Sequence, residues 1–196
     1  MISTPSPQIA CQQILQEDNS VFSIQWVDLP PEISSQLTAE RLLTHYLEAV
    51  RTLTAGLVQP VSSEQELAFC LAGRLPLLTF LPAEPVVTPE GSGLALRICG
   101  GLLVQPAQCE RGELLLLLSQ LPEKGQRITL RLADYCPLLL GSSQPSWIRR
   151  WLYRLTQAAI HRLVTVRFLV RLYRSLGGTG TIIRTVQVNV RNGRRT

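Results

Sequence analysis

The chain is poor in the residues from which catalytic and metal sites are most often built. It has two histidines, His45 and His161, which fall in different expected helices, and its five cysteines are an odd number with no Cys-x-x-Cys spacing. That pattern argues against a zinc site and against a disulfide framework. Free, mostly buried thiols in a reducing cytoplasm are the simplest account. No Gly-x-Ser-x-Gly elbow occurs, since Gly91-Ser92-Gly93 lacks the spacing. Gly177-Gly178-Thr179-Gly180 has neither the lysine nor the following helix of a phosphate loop and reads as a turn. The acids Glu110, Glu113, Glu123 and Asp134 are scattered, and Asp134 beside Tyr135 and Cys136 reads first as a turn residue. These absences make an enzyme the less favoured class, and neither a cofactor nor a metal is expected.

Long apolar runs are missing too. None approaches the ~18 residues of a membrane-spanning helix, because Arg167 and Arg171 interrupt the best candidate. The opening MISTPSPQIAC carries neither a basic segment nor an apolar core of about 7–15 residues, so it is not read as a secretory signal. The expected location is the cytoplasm, with peripheral contact to a membrane left open.

What is present is an uneven distribution of charge. Residues 1–90 hold three arginines against ten acids, a net of −7; residues 91–196 hold sixteen basic residues against four acids, a net of +12. The C-terminal half therefore either meets an anionic partner or packs against the N-terminal half with complementary charge. All the cationic side chains except Lys124 are arginines.

The densest basic stretch is PSWIRRWLYRLTQAAIHRLVTVRFLVRLYRSLGG, Pro145 to Gly178, with seven cationic side chains, two of the three tryptophans and no acid. Ile148, Leu152, Leu155, Ala159, Leu163, Val166, Val170 and Tyr173 recur at steps of four and three, so one long amphipathic helix is the favoured reading. Pro145 and Ser146 suit its start, and Gly177 its stop. The rival makes a strand of Leu163 to Arg174, because Val164, Val166, Phe168, Val170 and Leu172 alternate. That strand would pair as a hairpin with Ile182 to Arg191.

Earlier in the chain, residues 1–20 read as a loose arm with a helical turn near Cys11 to Gln16. Val21 to Val27 alternates as a strand, with Phe22, Ile24 and Trp26 on one face and Ser23 and Gln25 on the other. Thr38 is an N-cap candidate for a helix to about Leu53, with Leu42, Leu43, Tyr46, Leu47, Val50 and Leu53 as its apolar stripe. An echo at an offset of 46 residues, from Arg51 and from Arg97, shares Leu-Val-Gln-Pro and a closing Leu-Pro and suggests two strand, turn, strand units. Pro82 to Gly93 reads as a loop. Strands are expected from Leu94, where Gly100-Gly101 suggests a bend, over Glu113 to Ser119, over Arg127 to Ala133 with Ile128, Leu130 and Leu132 inward, and over Thr185 to Arg191.

Together these elements predict an α+β fold: a single domain over residues 21–191 with a curved antiparallel sheet, a long C-terminal helix on one face, and a polar tail at 192–196. The order is similar to the helix-grip arrangement of START-like lipid-binding domains, and the strand after the helix departs from it. The resemblance implies an apolar ligand or lipid held between sheet and helix, without catalysis. Trp147, Arg149, Arg150, Trp151 and Arg154 are the candidate ligand contacts, because arginine beside tryptophan suits an anionic headgroup at a membrane surface. The alternative is a protein-interaction or anionic-membrane module that uses the same basic segment, with an acidic protein as partner; nucleic acid is less favoured because no binding module is recognisable.

Overall fold

The computed structural model describes residues 8–34, 37–106, 110–122, 125–140, 159–177, 183–192 and 194–195. In chain order the elements are β1 (Gln8–Leu15), β2 (Val21–Leu29), α1 (Pro31–Ser34), α2 (Ala39–Leu53), β3 (Val58–Ser62), β4 (Leu67–Leu71), β5 (Leu75–Phe80), β6 (Glu84–Thr88), β7 (Gly91–Gly100), β8 (Glu113–Gln120) and β9 (Gln126–Tyr135). A 3-10 turn (Leu138–Leu140), α3 (Ala159–Ser175), β10 (Arg184–Gln187) and the two-residue β11 (Arg194–Arg195) follow. The fold is α+β. Among the described residues the strands make one open, mixed sheet in the order β10-β1-β2-β9-β8-β7-β5-β4-β3, with β11 also on β1 and β6 also on β7. Among the described residues only β1 and β10 pair in parallel.

The best-signalled element is α2. Thr38 is extended, and its hydroxyl accepts from the Arg41 amide at 3.3 Å, which satisfies one donor of the first turn. Leu42, Tyr46, Ala49 and Val50 are buried, and Leu43, Leu47 and Leu53 flank them as expected. β2, β8 and β9 also form where the sequence places them. In β8, Leu114 and Leu116 face the main core while Leu115 and Leu117 join Ala95 and Val86 on the reverse face. Burial on both sides is why this strand is a continuous leucine run. Each such leucine contributes about 1.5–3 kcal/mol relative to exposure.

Several expectations are corrected. In place of a loose arm with a helical turn, Gln8–Leu15 is a strand flanked by β2 and β10, buried at all but Gln8 and Gln13. It shows no alternation because Ile9 and Leu15 enter the main core while Ile14 enters a second cluster on the other face. Pro82 to Gly93 is not a loop: it contains β6 and the start of β7, and Pro85 pairs opposite Leu94. β6 pairs with the first half of β7 and, among the described residues, with no second strand, so a missing amide donor is tolerated there. The alternation of β2 is right but its burial is not. Ser23 and Gln25 are fully buried on the helix-covered side, while Phe22 and Ile24 pack with Ile14 and Ala133 on the reverse. That reverse face is covered by the C-terminal segment, whose Val190 and Arg191 amides donate to Gln12 Oε1 at 2.7 and 2.9 Å. Within the expected polar tail, Arg194 and Arg195 make a short pairing with β1. The strand expected over Thr185 to Arg191 ends at Gln187 and pairs with β1, not with residues 163–174.

Residues 163–174 are helical, which removes the hairpin alternative. α3 spans Ala159–Ser175, shorter than the expected helix, and residues 145–158 of that expectation lie outside the described residues. Its buried side is also not the expected stripe. Leu163 is 49% exposed, whereas Val164, Thr165, Phe168, Leu169 and Leu172 are buried. Val164, Phe168 and Leu172 lie four apart, so the same residues that alternate like a strand also line one face of a helix.

The two copies of the sequence echo adopt different structures. Arg51 is in α2 and Val58 in β3, whereas Arg97 is in β7 and Val104 makes only an isolated bridge to Pro137. Gly101, at φ +113°, makes the expected bend after β7; a Cβ there would stand 2.4 Å from the Leu77 carbonyl oxygen.

Candidate ligand cavity

The helices do not fill the space above the sheet. α2 and α3 pack on each other through Tyr46 and Phe168, whose rings meet edge to face at 5.3 Å. Tyr46 continues the aromatic contact to Phe69 of β4, and Phe69 to Phe80 of β5 at 5.1 Å. Behind this aromatic row lies a cavity of about 490 Å³. Ile98, Leu114 and Leu132 of β7, β8 and β9 form its floor. Tyr46 and Val50 of α2 and Val164 of α3 form its roof, and Leu102, Leu103, Leu138 and Leu139 line it between the strands and the 3-10 turn. Its size lies in the range of about 300–1,000 Å³ typical of small-molecule sites.

The wall is almost entirely hydrocarbon, and most of its few polar groups are already engaged. Tyr135 donates its hydroxyl to the Leu103 carbonyl at 2.8 Å. The Thr54 hydroxyl donates to the Val50 carbonyl at 2.7 Å and accepts from the Val58 amide at 3.1 Å. Burial pushes the Tyr46 phenol well above its ordinary range, so it stays neutral. His161 of α3 also borders the cavity. Its Nε2 is sealed from solvent and has no hydrogen-bond partner among the described residues, and burial pushes the imidazole down to about 4. No Asp, Glu, Lys or Arg is among the described lining residues.

The two histidines are not brought together. His45 lines a separate groove of about 230 Å³ between α2 and α3, where Arg171 donates to the Thr52 hydroxyl at 2.8 Å. No group of three metal-ligating side chains occurs among the described residues. Asp134 sits at φ +51° in a bulge of β9 opposite β2, where it accepts from Gln16 Nε2 at 3.1 Å. Burial raises the neighbouring Cys136 thiol, which disfavours a thiolate. Cys11, Cys70, Cys99 and Cys136 form no disulfide. No described helix is long and apolar enough to cross a membrane.

Of the residues singled out in the sequence, Trp147, Arg149, Arg150, Trp151 and Arg154 all lie outside the described residues. The cavity-lining residues were legible only as core, and nothing local distinguishes Leu132 or Val164 from any other buried side chain. His161 carried the one available signal, a histidine beginning the buried i, i+3, i+4 face of α3. Comparison of the chain with protein-family models, with curated proteins and with solved structures finds no match.

Proposed function

We propose that this protein is a non-catalytic binding domain that holds an apolar small molecule or lipid between its sheet and the helices α2 and α3. The observation that supports this reading is the cavity of about 490 Å³, walled by leucine, valine, isoleucine and aromatic side chains from both helices and from several strands. Close packing is the rule in protein interiors, and apolar space on this scale forfeits dispersion contacts that an apolar ligand would restore. The reading follows the helix-grip analogy, with the sheet on one side of the cavity and α2 and α3 on the other. β10, added after the helix, is this chain's departure from it.

Native mass spectrometry of the purified protein, combined with displacement of an apolar fluorophore by lipids, tests the reading. A co-purifying apolar mass, or saturable displacement, is expected. Protein that carries no ligand and binds no fluorophore would sink it.

A further inference from the structure

The cavity has chemically different ends. At one end Gln13 of β1 and His161 of α3 share the wall; at the other, Leu77 and Leu78 of β5 meet Leu102 and Leu103. β2, β9, β8 and β7 lie between β1 and β5 in the sheet, so these ends are separated across its width. The hydroxyls of Tyr135 and Thr54 are spent on backbone groups, whereas His161 Nε2 is buried without a hydrogen-bond partner among the described residues. A buried, unsatisfied polar atom is destabilising, and a ligand atom placed against it removes that penalty.

Resting on the binding reading above, we infer that the ligand is an amphiphile with an uncharged hydroxyl head, which hydrogen-bonds His161 Nε2 while its hydrocarbon body extends toward Leu77 and Leu102. A hydroxyl both donates and accepts, so it satisfies either tautomer of a neutral imidazole. The low pKa of His161 keeps the ring neutral at neutral pH. A carboxylate or phosphate head would be desolvated against a wall whose described residues include no cationic side chain, and that is costly.

The test uses the full chain and an apolar fluorophore displaced by three probes of equal chain length: a fatty alcohol, the alkane and the fatty acid. The alcohol is expected to displace at roughly tenfold lower concentration than the alkane, the equivalent of one hydrogen bond. His161→Phe should abolish that preference, and His161→Gln should restore part of it. If His161→Phe does not fold, His161→Leu serves the same comparison. Equal binding of alcohol and alkane to the unsubstituted protein overturns the inference while leaving the cavity reading intact. So does tighter binding of the fatty acid, which would place the head against arginines outside this wall. Failure of all three probes to displace the fluorophore removes the binding reading and this inference with it.

Discussion

Asp28 on β2 stands directly opposite Arg127 on β9, and its two carboxylate oxygens accept from the guanidinium Nε and NH2 at 2.6 and 2.9 Å. The relationship recurs across the sheet. Asp18 pairs with Arg111, Glu84 with Arg97, and Glu90 with Arg131, each joining an acid before residue 91 to an arginine after it. Part of the charge asymmetry of the chain is therefore internal complementarity.

These pairs are predicted to differ in strength. Asp28 and Arg127 are 48% and 35% exposed at their side chains, so solvent screens them and a double-mutant cycle should give a coupling of no more than about 1 kcal/mol that shrinks in salt. Arg131 is only 18% exposed and contacts both Glu90 and Glu113. Its coupling to Glu90 should exceed that of the Asp28 pair and persist at higher salt, as urea denaturation of the four variants would reveal.

Two acid-sensitive windows are expected. His161 has its pKa lowered by burial to about 4, against ~6.5 in an unfolded chain, so the unfolded state binds the extra proton between these values. Stability from this group is complete above about pH 6.5 and lost as pH falls to 4. His161→Phe should flatten that part of the stability curve.

Asp18 occupies the lower window. Burial opposes its ionisation, but hydrogen bonds from the Ser20 hydroxyl, the Arg111 guanidinium and the Ser20 amide outweigh burial and hold the carboxyl at about 2. Its contribution is present above the unfolded value of ~3.9 and lost as pH falls through 2. Asp18→Asn should reduce the pH dependence there, to which Glu40 and Glu90 also contribute through their lowered pKa values, and leave the contribution of His161 unchanged.

Neighbouring glycines should respond in opposite ways. At Gly93 a Cβ would stand 1.9 Å from the Leu116 carbonyl oxygen and 2.9 Å from the Leu117 Cα, both backbone atoms of β8. Gly93→Ala should cost about 3 kcal/mol or more, because the strands must separate to admit it. At Gly100 a Cβ would meet nothing within 4 Å, and Gly100→Ala should stay within about 0.5 kcal/mol. Paired chemical denaturation curves decide both.

Filling the cavity should separate stability from binding. Val164 faces it from α3 and Leu132 from β9. Val164→Phe is expected to raise the thermal midpoint by the equivalent of about 0.5–2 kcal/mol and to abolish fluorophore binding. A destabilised variant that still binds would mean that Val164 borders space the ligand does not use.

The parts of this fold that the sequence announces are those decided within a few residues. Thr38 caps α2 through a bond to Arg41, three positions on, and the alternation of Ile128, Leu130 and Leu132 places β9 because those side chains share one face. Elements whose burial depends on distant neighbours were misread or left open. β1 is buried on both sides and loses its period, Pro85 hides a flanking strand, and Val164, Phe168 and Leu172 satisfy two periods at once.

The sequence by itself determined an α+β chain without metal or nucleophile motifs, the position of α2, and the leucine-rich strands of the sheet. Only the tertiary structure decided that Leu163 to Arg174 is helix, that its buried face carries Phe168 and Leu172, and that Gln13, Tyr46, Leu132 and His161 border one cavity. Local patterning records which side chains leave water. It does not record how distant elements come together, so the unfilled space between them, and the lone imidazole nitrogen within it, exist only once the chain has folded.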